Sequence, residues 1–180
     1  MREIALHMAD IAENALAAGA ARIRLSVIID RAADRLITAI EDNGCGMDEQ
    51  TLYRCTDPFV TTRTNRRVGL GIALFKLSAE QSGGSFTIQS EPNRGTRAEA
   101  VYTISGVDRA PLGSIADTMA ALIAANPETD FTLEYTADGK GFAFATDTTP
   151  YNDRTLAFAA AAKKEIQQRI DEINGGAEPI

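Results

Sequence analysis

Glu41-Asp42-Asn43-Gly44-Cys45-Gly46-Met47-Asp48 follows directly on an alternating apolar run, Leu36 to Glu41, and this junction decides the fold. Alternation at period two marks a strand, and glycines two residues apart mark a tight turn at its end. The Asp42 carboxylate accepts hydrogen bonds, and Gly44 and Gly46 let a flat ligand come close to the backbone. By itself the stretch reads equally well as a plain turn.

Upstream, Arg22 to Ile29 alternates with Ile23, Leu25 and Val27 on one face, and Asp30 to Asp34 supplies the turn between two paired strands. Before it, Glu3 to Ala18 carries Ile4, Met8, Ile11 and Ala15 at helical spacing, with Gly19 placed to stop the helix. His7, Asp10 and Asn14 form a second, polar stripe on that helix. An amide oxygen such as that of Asn14 is a hard ligand suited to Mg²⁺, and Asp10 one turn earlier is placed to polarise a water or hydroxyl beside the same ion. Read alone, the stripe is a solvated helix flank.

Downstream, Asp48 to Val68 holds a short helical piece and then the polar run Asp57-Pro58-Phe59-Val60-Thr61-Thr62-Arg63-Thr64-Asn65-Arg66-Arg67. A connection this long inside a compact domain is functional or disordered. Gly69-Leu70-Gly71 then opens an apolar helix to about Gln81. Backbone N–H groups at a helix start hold phosphate, and Arg63, Arg66 and Arg67 are within reach of one; the plain alternative is a basic loop with a glycine hinge. A strand pair follows, Ser85 to Ser90 and Thr96 to Ile104, joined at Glu91–Gly95. Beyond Ser105 the pattern predicts a helix capped at Ser114 and ending before Asn126-Pro127. A hairpin turning at Asp138–Gly141 comes next, then a last helix from about Asn152 to Asn174 bearing Leu156, Ala159, Ile166, Ile170 and Ile173.

The 180 residues carry 18 Lys plus Arg against 25 Asp plus Glu, a balance of −7, with 44% apolar and 24% charged residues. This is a globular mix able to bury a core, with no apolar run long enough to span a membrane and no secretory leader pattern. The acidic balance argues against nucleic-acid binding. Cys45 and Cys55 read as two reduced thiols of a cytoplasmic protein.

Taken in order, the pieces resemble one family. Asp10-Ile11-Ala12-Glu13-Asn14 is similar to the N box of the GHKL (Bergerat-fold) ATP-binding domains, and Glu41 to Met47 is similar to their G1 box. Asp57 to Arg63 resembles the F box and lid of the histidine kinases. Arg67-Val68-Gly69-Leu70-Gly71 resembles the G2 box, and Gly83-Gly84 through Arg94-Gly95-Thr96 completes the histidine-kinase pattern. The resemblance covers roughly residues 3–104. It implies an α/β two-layer sandwich: a mixed, mostly antiparallel sheet covered by helices on one face, here with an α-β-β-α appendage. The expected division is 1–104 as the ATP-binding core and 105–180 as the appendage packing on it.

The resemblance also implies roles. ATP and Mg²⁺ are the expected cofactors, with Asn14 holding the metal, Asp42 reading the adenine amine and Gly44, Gly46 and Met47 lining the pocket. Thr96 supports Asp42; Gly69, Leu70 and Gly71 cradle phosphate; Phe59 packs the lid; Arg67 binds phosphate. Asp10 and Arg63 are the expected catalytic pair. Two departures stand out. Hydrolysing members carry Glu where this chain has Asp10, one methylene shorter, which predicts slow hydrolysis. The N box begins almost at Met1, so no histidine-bearing dimerisation module is expected ahead of it, and His7 is expected to be structural. The expected function is Mg-dependent ATP binding with transfer of the terminal phosphate to a protein partner, or slow hydrolysis, as an ATPase or protein kinase. The alternative is an ATP-sensing module whose lid ordering controls a partner. Expected partners are ATP or ADP and a regulatory or phosphoacceptor protein, with no nucleic acid or membrane, the chain being a monomer or homodimer.

Overall fold

The structure, a computed structural model, describes residues 2–56, 70–175 and 180. Helix α1 (Ile4–Ala17) leads into the antiparallel pair β1 (Arg22–Asp30) and β2 (Arg35–Asp42). Then come α2 (Glu49–Cys55), α3 (Gly71–Gln81), β3 (Ser85–Glu91) and β4 (Gly95–Thr103). Helix α4 (Ile115–Ala125), the hairpin β5 (Asp130–Ala137) and β6 (Lys140–Ala145), and α5 (Leu156–Asn174) complete the chain. The six strands form one sheet in the order β3-β4-β2-β1-β5-β6, antiparallel throughout except for the parallel β1–β5 pair.

Alternation sets which face is covered. Ile23, Leu25, Val27 and Ile29 of β1 are buried, as are Phe131, Leu133 and Tyr135 of β5, while the intervening residues look outward. Against that face α1 lays Ile4, Met8, Ile11 and Ala15, the stripe its sequence predicts. Each such aliphatic side chain contributes roughly 1.5–3 kcal/mol on burial. The other face stays open and carries ion pairs such as Arg97 with Glu41 and Glu99.

Residues after 105 continue this sheet through β5 and share its apolar core, with Ile115, Met119 and Ile166 buried in the same cluster as Ile4 and Met8. Backbone bonds stitch this part to the chain's start: Ile4 N–H donates to the Pro111 carbonyl at 2.9 Å and Ala5 N–H to that of Leu112 at 2.8 Å. The last helix differs from expectation at its beginning. A single 3-10 turn, Tyr151–Asp153, precedes it, and Thr155 caps α5 by accepting from Phe158 N–H. Leu156 is the first residue of α5 and stands 76% exposed, burial along the helix beginning at Ala159. The buried Arg154 guanidinium fixes the chain just ahead of the cap. Among the described residues, no helix is long and apolar enough to cross a membrane, and Cys45 and Cys55 are both free thiols.

Candidate nucleotide site

Position two on the covered face repeats to the end of β2, so Asp42 points inward at the sheet's rim. One oxygen of its carboxylate accepts from Gly44 N–H at 2.7 Å, and Thr96 N–H also supports the carboxylate. Burial pushes the Asp42 carboxyl above the usual carboxylate range and Glu41 adds to this, while the two N–H donors pull the other way. The result is a half-buried acceptor that gains from a further donor.

The loop after Asp42 is pinned from both sides. Cys45 N–H donates to the Ala18 carbonyl at 3.0 Å, and Asn93 N–H donates to the Cys45 carbonyl at 2.7 Å. Gly46 sits at φ +64°, where a Cβ would lie 2.0 Å from the Glu91 carbonyl oxygen, so only glycine fits. Met47 N–H donates to Ser90 Oγ at 2.8 Å. Ser90 also donates to the Gly95 carbonyl and lies 2.9 Å from Thr96 Oγ1. The Thr96 support for Asp42 therefore comes from its backbone, while its hydroxyl turns to Ser90.

Above this loop opens a cleft of about 220 Å³. Ile11, Asn14 and Ala15 of α1 form one wall, Ile72 of α3 another, and Ile88, Thr96 and Ala98 the floor, with Asp42, Gly46 and Met47 at one end. An apolar slot with one buried acceptor at its end suits a flat heteroaromatic ring bearing an amine.

The start of α3 abuts the polar stripe of α1. A Cβ at Gly71 would lie 3.1 Å from Asp10 Cβ and 3.6 Å from Asn14 Nδ2. The first N–H groups of α3 and the Asn14 carboxamide thus share one corner, where an anion and its counter-ion would meet. Asn14 Nδ2 is buried without a hydrogen-bond partner among the described residues. No cluster of three His, Cys, Asp or Glu able to hold a metal exists among the described residues.

Asp10 brings a partner that sequence spacing did not suggest. Arg2 grips both of its carboxylate oxygens, Nη1 to Oδ2 at 2.7 Å and Nη2 to Oδ1 at 3.0 Å. Eight residues separate them, and no helical period pairs positions that far apart; the contact depends on how the segment before α1 folds back. His7 is 5% exposed and stacks on Phe75 with ring centroids 6.3 Å apart, its Nδ1 without a hydrogen-bond partner among the described residues. Burial lowers its basicity, Arg2 adding and Asp10 opposing. Leu70 is exposed at the N-cap of α3, beside the corner rather than in the cleft. Gly44 lies under the loop, its N–H on Asp42. Phe59, Arg63, Arg67 and Gly69 lie outside the described residues. Ser90 and Arg2 are the two residues the sequence reading missed. An inward position directly across from Thr96 in the strand pair is the signal that would have found Ser90.

Comparison with known proteins agrees with this geometry. Residues 2–105 match the family described as histidine kinase-, DNA gyrase B-, and HSP90-like ATPase. A sensor protein kinase, FleS of Pseudomonas aeruginosa, is 38% identical over 106 residues, 59% of this chain and 26% of that protein. A putative sensor protein of Shewanella frigidimarina is 38% identical over 85 residues, 46% of this chain and 13% of its own length. The chain thus spans about a quarter of one of these relatives and about an eighth of the other. The solved ATPase domain of Aquifex aeolicus MutL, complexed with ADP, superposes with a TM-score of 0.50 at 15% identity, covering 81% of this chain and 64% of that one, a likeness of fold. With its first 105 residues matched and its sheet and helices in the corresponding arrangement, the chain belongs to the histidine kinase-, DNA gyrase B- and HSP90-like ATPases, a family of ATP-binding domains.

Proposed function

We propose that the chain binds Mg·ATP in the cleft above Asp42 and passes the terminal phosphate to a protein partner or, slowly, to water. The observation that carries this reading is the corner where Gly71 packs on both Asp10 and Asn14. It puts a helix start, a carboxamide without a partner and a carboxylate around one point. Asp42 accepts the adenine amine, and Gly46 and Met47 bring the loop against the ring. The Asn14 carboxamide oxygen holds Mg²⁺, whose charge offsets that of the phosphates. The N–H groups at the start of α3 hold phosphate oxygens. Asp10 takes the proton of the attacking hydroxyl or water as the terminal phosphorus–oxygen bond breaks and ADP leaves. Arg63 and Arg67 supply charge to the leaving phosphate chain, and Phe59 closes the lid. In this division residues 1–104 carry the nucleotide and 105–180 brace the sheet and the start of α1. The free thiols favour a reducing, cytoplasmic setting.

A second reading has its own support. Arg2 takes one lone pair on each oxygen of Asp10 and its positive charge makes that carboxylate a weaker base. In a sensing module that never turns ATP over, this pair persists and ATP acts through the 48–68 lid to alter a partner surface.

Calorimetric titration with ATP, ADP and GTP, with and without Mg²⁺, tests the site. Tight, Mg-dependent adenine nucleotide binding is expected, and its absence overturns both readings. Phosphate release or transfer measured against Asp10→Asn separates them. Turnover lost in the variant supports the enzyme, and equal, background-level turnover in both supports the sensor.

A further inference from the structure

Asp42, Thr96 and Ser90 stand in one row across β2, β4 and β3, all on the covered face at the rim that floors the cleft. We propose that Ser90 is a positioning residue for base recognition: it fixes the direction of the Thr96 hydroxyl and so makes the site select adenine over guanine. The inference rests on the nucleotide reading above and deepens it.

Hydrogen-bond accounting carries the argument. A serine hydroxyl offers one proton and two lone pairs. Ser90 Oγ has three partners: Met47 N–H at 2.8 Å, the Gly95 carbonyl at 3.0 Å and Thr96 Oγ1 at 2.9 Å. Met47 N–H can only donate and takes one lone pair. The Gly95 carbonyl can only accept, and without the Ser90 proton two oxygen lone pairs would face each other at that separation. The proton therefore goes to Gly95, and the remaining lone pair takes the proton of Thr96. Thr96 is left with lone pairs alone toward the cleft it lines.

Asp42, ionised, is also an acceptor, already holding the N–H groups of Gly44 and Thr96. The row thus shows the base two acceptors side by side. Adenine brings an exocyclic N–H₂ to such a row, and a water donating one proton to Thr96 has its other proton for the unprotonated ring nitrogen beside that amine. Guanine brings a carbonyl where adenine has the amine and an N–H where adenine has the bare nitrogen, the reverse pattern. Its carbonyl would meet acceptors in a half-buried place, where an unmatched polar group costs most. Without Ser90 the Thr96 hydroxyl is free to turn its proton to the cleft and meet the guanine carbonyl.

The test is calorimetric titration with ATP and GTP of the wild type, Ser90→Ala, Ser90→Thr, Thr96→Val and the double variant Ser90→Ala/Thr96→Val, with thermal melting alongside. The wild type is expected to prefer ATP. Ser90→Ala should lose ATP affinity and compress the ATP-to-GTP ratio by about tenfold, the scale of one hydrogen bond. Ser90→Thr, which keeps the hydroxyl, should restore both. In the double variant the loss should be no greater than in Thr96→Val alone, because Ser90 acts through Thr96. A purely structural serine would lower the melting temperature and leave the nucleotide ratio untouched, and that result overturns the proposal, as do additive losses in the double variant. If Ser90→Ala does not fold, the ratio in Thr96→Val decides, an unchanged ratio being contrary. A wild type that binds no adenine nucleotide overturns the site assignment and this inference together. A wild type that binds ATP while the ratio stays fixed in the variants overturns this inference alone.

Discussion

The two ends of the sheet treat buried polar groups in opposite ways. At the far end, Arg154 is sealed in, and every arm of its guanidinium is used. Nε donates to the Thr149 carbonyl, Nη1 to those of Pro127 and Thr129, and Nη2 to Asp130 and the Thr146 carbonyl. At the opposite end of β5, Arg31 pairs with Asp138, and Asn174 donates to the Tyr135 hydroxyl at 3.0 Å. At the cleft end, Asn14 Nδ2 has no partner among the described residues, and Asp42 is buried beyond what its two N–H donors offset. Closed polar networks hold a structure; a polar group left open at a cleft keeps capacity for a further partner.

Four substitutions probe that contrast, in falling order of effect. Arg154→Ala strips partners from four carbonyls and a carboxylate at once, and should cost about 3–5 kcal/mol in denaturant unfolding. ATP affinity of the folded fraction should hold; a loss of affinity would show that the far end does more than brace.

Asp42→Asn should do the reverse. ATP affinity should fall by about a hundredfold, roughly 2.7 kcal/mol, while stability at neutral pH is kept or improved. The pH dependence follows from the upward displacement of the Asp42 pKa. Because the folded state binds the proton more tightly than the unfolded state, the wild type carries its penalty at neutral pH. As pH falls through the raised folded value that penalty shrinks, and below the unfolded value it is gone. The stability advantage of Asp42→Asn should therefore narrow on acidification. An advantage that grows with acid would mean that the N–H donors outweigh burial.

Gly46→Ala forces a Cβ toward the Glu91 carbonyl at positive φ and should cost about 1–3 kcal/mol, with weaker ATP binding. Unchanged affinity would show that the loop is a spacer and not part of the cleft. Arg2→Ala breaks an exposed pair and should move stability by less than about 1 kcal/mol. Freed from Arg2, Asp10 should raise phosphate release above the wild-type rate. A rate that falls would make Arg2 a helper of the phosphate site and not a restraint on Asp10.

Much of the fold was legible because the information is local. The stripe of Ile4, Met8, Ile11 and Ala15, the alternation in β1 and β5, the cap at Ser114 and the glycine at 175 ending α5 each depend on a few neighbouring residues. Leu156 misled for the same reason: its spacing fits the helix, but burial along α5 begins only at Ala159. In the site, Asp42, Gly46 and Asn14 could be picked out by the resemblance of the boxes in order, since each stretch alone reads as a turn or a solvated flank. Their surroundings could not.

By itself the sequence determined the elements, the ordered boxes that place residues 2–105 in their family, and the residue types at the cleft. Only tertiary structure decided that β5 lies parallel beside β1, that Gly71 packs on Asp10 and Asn14, that Arg2 holds Asp10 and that Ser90 turns Thr96. Helical and strand periods relate residues a few positions apart. These contacts join residues brought together by sheet register and helix packing, and no period along the chain encodes them.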